Sequence, residues 1–163
     1  MIIISPYSRP LRNGVKPNPK DYPYFQELIE MILKEYPKQT IIQVGVHGEE
    51  KFDNTNILFG QSLQNLKNLL NICDVWISVD NFFHHLASTV GKKGIVIFGP
   101  SDPIIFGNTN NVNLLKSRKH LREKQFEWYE NTRYNKEAFI EPEIVMGSIR
   151  RILNEQLWKD NVG

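Results

Sequence analysis

The chain has 163 residues, 40% of them apolar and 23% charged, with a formal net charge of +2. That length suits one domain with a buried core, and the charge is too small to argue for nucleic acid or an anionic membrane as partner. The single cysteine, Cys73, excludes an internal disulfide and, in its apolar run, reads as a buried, reduced thiol of a cytoplasmic protein. The start Met1-Ile2-Ile3-Ile4-Ser5 lacks the basic n-region of a signal peptide. No stretch reaches the ~18 apolar residues of a membrane span.

In chain order, Ile2 to Ile4 is a short apolar run of the kind a buried strand shows. A long basic, proline-rich loop follows, from Ser5 to Lys20. Loops over ~12 residues are uncommon in compact domains and are often functional. Residues 21–36 carry the clearest helical stripe: Phe25, Leu28, Ile29, Ile32, Leu33 and Tyr36 share one face. Asp21 is a cap candidate, Pro23 suits the first turn and Pro37 stops the run. Thr40 to Val46 reads as the second strand, with a turn at His47–Glu50, and Asn56 to Gly60 as the third. Ser62 caps a helix whose inner face is Leu63, Leu66, Leu69 and Leu70. Val75 to Val79 forms a fourth strand that runs into Asp80, and a helix follows at once, ending near Gly91. Gly94 to Gly99 is the fifth strand, with Pro100-Ser101-Asp102-Pro103 as the turn at its tip. Asn113 to Lys116 is a weaker sixth. Residues 117–140 are charged and aromatic and read as helical or irregular structure laid over the sheet. Pro142 opens a last helix, 142–158. The whole is one domain, residues 1–163, with a core over 1–107 and an extension over 108–163.

Strands alternating with helices at these spacings predict an α/β fold: an open parallel sheet of about six strands in the order 3-2-1-4-5-6, with helices on both faces. Strands one and four then meet at the switch point, where open α/β sheets bind ligands. The loop after strand one offers the hydroxyls of Ser5, Tyr7 and Ser8 and the charges of Arg9, Arg12, Lys16 and Lys20. The helix after strand four offers unpaired amides and a positive dipole end. Together they predict an anion site, most naturally for phosphate or pyrophosphate. Asp80 either caps its helix or accepts hydrogen bonds from a sugar. His84 and His85 point about 100° apart in a helix, so at most one faces the crevice, and their spacing is wrong for a zinc pair. No metal is expected. The chain lacks Gly-x-Gly-x-x-Gly, Gly-Lys-Ser/Thr and Gly-x-Ser-x-Gly motifs, against an ordinary dinucleotide fold, a P-loop NTPase and an α/β-hydrolase. The basic residues from Lys116 to Lys124 are interrupted by Glu123 and read as a solvated face.

The run Asp80-Asn81-Phe82-Phe83-His84-His85-Leu86-Ala87, then Gly91, then Ile95 to Pro103 ending Phe98-Gly99-Pro100-Ser101-Asp102-Pro103, resembles the C-terminal half of glycosyltransferase family 9. These are the heptosyltransferase-like GT-B enzymes. Asp80, His85, Ala87 and the Phe98–Pro103 turn match the family's pattern in register. Phe82 stands where the family has glycine. More loosely, Ser5 to Arg9 stands at the family's first phosphate-facing loop, and Val44-Gly45-Val46 and Phe59 to Leu63 at the loops that hold the base. The resemblance covers residues 1–107.

The resemblance implies a Rossmann-like domain that binds a nucleotide-diphosphate sugar of the ADP-heptose type as substrate or ligand, with no separate cofactor. Phosphate and sugar contacts would fall to Ser5, Tyr7, Ser8, Arg9, Lys16, Asp80, Asn81, Phe82, His85, Ser101 and Asp102. Nucleoside contacts would fall to Val44, Gly45, Val46, Gly60, Gln61 and Ser62. The catalytic candidates are Asp80 and His85. The family's N-terminal half, which binds the acceptor and supplies the base, has no counterpart in this sequence. A homodimer mate or a separate acceptor-binding chain is therefore expected to complete a hexosyl- or heptosyltransferase. The alternative is a non-catalytic module that sequesters or senses a nucleotide or nucleotide sugar.

Overall fold

A computed structural model describes the backbone of residues 1–162 and the side chains up to Gln156 and at Trp158. Six parallel strands form one sheet in the order β3-β2-β1-β4-β5-β6. They are β1 (Ile2–Ser5), β2 (Ile41–Gly45), β3 (Asn56–Phe59), β4 (Val75–Val79), β5 (Ile95–Phe98) and β6 (Val112–Leu115). Register follows from the central pair, in which Ile2 lies against Val75 and Ser5 against Ser78. β1, β4 and β5 are buried along their whole length, because both faces of a parallel sheet are covered by helices.

Alternation along the strands divides the core. Ile2 and Ile4 join the cluster under helices α1 (Phe25–Glu35) and α5 (Pro142–Val162). Ile3 joins Trp76, Phe83 and Val96 under α2 (Leu63–Ile72) and α3 (Phe82–Thr89). Trp76 is fully buried; its indole N–H donates to the Lys92 carbonyl at 2.9 Å, and Phe83 meets it edge-on with ring centroids 5.9 Å apart. Thus α3, which carries the motif residues, rests on a rigid aromatic floor.

Two local expectations change, at the start of α1 and after β5, and the extension takes a definite form. Asp21 does not cap α1: its carboxylate accepts the backbone N–H of Asn18 at 3.0 Å, and the helix starts later, at Phe25. The turn after β5 continues into a one-turn helix, α4 (Pro103–Phe106), capped by Asp102. The extension forms three short 3-10 turns, at Arg118–His120, Tyr129–Asn131 and Lys136–Ala138. Of its aromatics Phe139 is fully buried, whereas Phe126 and Trp128 are exposed. Ser62 caps α2 as expected, accepting from the Asn65 N–H. No helix among the described residues is long and apolar enough to cross a membrane.

Cys73 is buried and unpaired. Burial pushes its thiol pKa up to about 11, so almost no thiolate forms at neutral pH. A disulfide-exchange reagent at pH 7.5 should leave the native protein unmodified over minutes and titrate one thiol at once in denaturant. Rapid reaction of the native protein would contradict this packing.

Candidate functional site

The carboxyl ends of β1, β2, β3 and β4 open into a cleft of about 630 Å³, within the range of small-molecule sites. Its floor is the junction of β1 and β4. There Asn81 does two jobs. Its side-chain oxygen accepts the Phe83 N–H and caps α3. The two N–H bonds of its amide nitrogen are shared among three acceptors, the Ser5 carbonyl at 3.1 Å, the Ser5 hydroxyl at 2.9 Å and the Tyr7 carbonyl at 2.9 Å. One residue thus fastens the positive end of α3 to the loop after β1, across 76 positions of sequence.

Asp80 is not the cap. It is 4% exposed and both carboxylate oxygens are engaged. Oδ1 lies 3.2 Å from His84 Nε2, and Oδ2 lies 2.8 Å from the Lys20 ammonium. Burial works against the Asp80 charge, but His84 and Lys20 outweigh it and hold the pKa well below the usual carboxylate range. The ammonium of Lys20 also reaches the Asp80 carbonyl at 3.4 Å and the face of Tyr129, 4.3 Å from its centroid. The result is a cation pinned at the cleft floor, beside the N-terminus of α3.

The two histidines separate as their spacing requires. His84 is fully buried against Asp80, and His85 lines the cleft, with the rings 3.8 Å apart. Burial and then the neighbouring His84 lower the His85 pKa, which favours a neutral imidazole able to accept a proton. Asp80, His84 and His85 bring ligand-type atoms within 4.8 Å of one another. Lys20 already supplies the positive charge that Asp80 needs there, so the cluster reads as an ion-pair network and not as a cation site.

Most of the residues expected in the site share the cleft. Ser5, Tyr7, Ser8 and Arg9 line it from the β1 loop; Asp80, Asn81, Phe82 and His85 from the α3 side; Val44, Gly45, Val46, Gly60 and Gln61 from the tips of β2 and β3. Phe83 turns into the core and Phe82 stands exposed at the rim, so neither plugs the opening. Four residues lie off the wall. Lys16 is exposed on the outer loop. Ser62 is spent on its cap. Ser101 is fully buried and meets the Tyr129 hydroxyl at 2.8 Å. Asp102 is held by Arg118 through two bonds, at 3.1 and 2.6 Å.

Other wall residues carry no local motif. Lys20 reads only as one more charge in a basic loop. Glu49 lies over Gly45, where a Cβ would collide with its carboxylate. Burial raises the Glu49 pKa to about 7, and its Oε2 is buried without a hydrogen-bond partner. Trp128, Tyr129 and Glu130 arrive from the extension. Three members of the basic run feeding that extension are paired internally: Lys116 with Glu141, Arg118 with Asp102 and Lys124 with Glu127.

The family model described as glycosyltransferase family 9 (heptosyltransferase) matches residues 20–134. No curated protein matches the sequence. Among solved structures, the E. coli ADP-heptose lipopolysaccharide heptosyltransferase II is 14% identical, with a TM-score of 0.67 over 95% of this chain and 46% of that one. A family 9 glycosyltransferase from Veillonella parvula DSM 2008 is 17% identical, with a TM-score of 0.67 over the same shares. The dodecameric iron-containing heptosyltransferase TibC, in complex with ADP-D-β-D-heptose, is 15% identical, with a TM-score of 0.61 over 94% of this chain and 46% of that one. These identities establish a shared fold. The chain spans less than half the length of each of the three.

Proposed function

Because this chain belongs to glycosyltransferase family 9, we propose that its cleft binds a nucleotide-diphosphate sugar of the ADP-heptose type. The observation that carries the reading is the floor of the cleft. Asn81 holds the amide-rich start of α3 against the β1 loop, and Lys20 stands beside it, paired to Asp80 at 2.8 Å. Backbone donors, a helix dipole and a fixed ammonium in one concavity suit a diphosphate. The nucleoside would lie toward β2 and β3, over Gly45 and Gly60, where Glu49 and Gln61 supply polar side chains and the His47 imidazole lies against Gly60.

In transfer, an acceptor hydroxyl attacks the anomeric carbon, the bond from that carbon to the diphosphate oxygen breaks, and the nucleoside diphosphate leaves. Lys20 and the α3 amides are placed to stabilise the charge on the leaving oxygen. The hydroxyl proton needs a base. Asp80 has both oxygens occupied, which leaves His85 as the free acceptor among the motif residues. The acceptor would be held by a dimer mate or a second chain. The engagement of Asp80 favours a second reading, in which the same site sequesters or senses the nucleotide sugar without turnover.

The test is a panel of ADP-, GDP-, UDP- and dTDP-sugars, read by thermal or urea unfolding and by released nucleotide. A ligand at 100 times its Kd should add ~2.7 kcal/mol of stability. Stabilisation by an ADP-sugar, with nucleotide release once an acceptor is present, supports the transferase. Stabilisation without release supports the binding module. No stabilisation by any member rejects the nucleotide-sugar site.

A further inference from the structure

The cleft has a third wall that the nucleotide contacts leave unused. Residues 122–130 lie beside the β5 tip and are tied to it: Arg122 N–H donates to the Pro100 carbonyl at 3.0 Å, the Gln125 amide to the same carbonyl at 3.1 Å, and the Asp102 N–H to Gln125 Oε1 at 2.9 Å. At the other end the strap grips the β1 loop. Glu130 Oε1 accepts the Arg12 N–H at 2.9 Å, and the Arg12 guanidinium lies 3.4 Å from the Trp128 ring centroid. Arg122 also donates to the Trp128 carbonyl at 3.2 Å. The indole is therefore held at its backbone and on one face. It is still 60% exposed and lines the cleft.

Strand order fixes where that indole stands along a bound ligand. The strand tips run from Gly60 after β3, through Gly45 and Ser5, to Asn81 after β4 and, behind the wall, Ser101 after β5. At ~4.8 Å per strand this spans about 19 Å. A nucleotide sugar with its nucleoside over β2 and β3 and its diphosphate over β1 and β4 brings its sugar to the strap. The geometry points to Trp128 as the stacking platform for the donor's sugar ring. The C–H-rich face of a pyranose is apolar and complements the electron-rich face of an indole. Arg12 covers one face, 3.4 Å from the ring centroid, and fixes the ring; the sugar would take the other. Trp128 is a specificity residue for the sugar and not for the nucleotide.

This inference rests on the nucleotide-sugar reading, and titration calorimetry of the full chain with ADP and with ADP-D-β-D-heptose separates the two. Trp128→Leu keeps bulk without an aromatic face; Trp128→Phe keeps the face. In the leucine variant, affinity for the sugar nucleotide should fall about tenfold, the order of one lost aromatic contact, with ADP affinity held within about twofold. The phenylalanine variant should recover most of the loss. Equal losses for both ligands, or none for either, in protein that melts like wild type would overturn the role of Trp128 while leaving the nucleotide site standing. Wild-type protein that binds neither ligand would overturn both.

Discussion

Lys20→Met should cost about 3 kcal/mol of stability at neutral pH and lower affinity for ADP by about 10- to 100-fold. Removing one member of a buried ion pair leaves the other charged and uncompensated, at a cost of ~3–5 kcal/mol. The lower end applies because the Lys20 side chain keeps 19% exposure against 6% for Asp80. The affinity loss is that of one charge-assisted contact, ~1.5–3 kcal/mol. The pH dependence carries a definite sign. In the wild type the folded-state pKa of Asp80 is depressed. Its contribution is present above the unfolded value of ~3.9 and is lost as pH falls through the folded value. Without Lys20 the burial penalty persists, the Asp80 pKa rises, and protonation relieves the variant before the wild type. The stability gap should therefore be full at pH 7 and narrow as pH drops toward and below 4. Urea unfolding at both pH values measures it, and adding Asp80→Asn should restore most of the loss. A gap independent of pH, or a double variant no better than the single, would show that this pair does not hold the floor of the cleft.

What the sequence disclosed and what it hid divide along physical lines. Apolar runs such as Ile2–Ile4 and Val75–Val79 mark doubly covered strands, and the crossover rule orders them, so the sheet and its switch point were legible. The position of α3 was legible too, but its cap was not. Asp80 and Asn81 are adjacent and both are good caps. The choice fell to Asn81 because the Asp80 carboxylate is taken by His84 and by Lys20, distant in sequence. Contacts of that range leave no periodic trace. The same holds for Arg12 on Trp128, more than a hundred residues apart. The extension could be read as charged and aromatic, but nothing local said that its Trp128 and Tyr129 would complete a cleft built by the β1 loop. The α4 turn, by contrast, carried a readable signal: Asp102 followed by Pro103 is an N-cap with proline in the first turn.

Asn81 is where fold and site coincide, and its substitutions should separate the two roles. Asn81→Ala removes the cap, ~0.5–2 kcal/mol, and the three donor contacts to Ser5 and Tyr7. With the cap oxygen gone and two loop carbonyls left unpaired, the total should be about 3 kcal/mol. Ligand affinity should fall with it, since the β1 loop is no longer fixed to the α3 amides. Asn81→Asp keeps a capping oxygen and even favours the helix dipole. It cannot donate, however, and it sets a second carboxylate beside Asp80, facing two carbonyls and the diphosphate site. The aspartate variant should therefore lose less stability than the alanine variant but more affinity for ADP. That inversion is the diagnostic, because a residue acting only as a cap would rank aspartate near wild type in both measurements. Unfolding and calorimetry on the two variants decide it, and an aspartate variant that binds ADP as the wild type does would remove the anion from the mouth of α3.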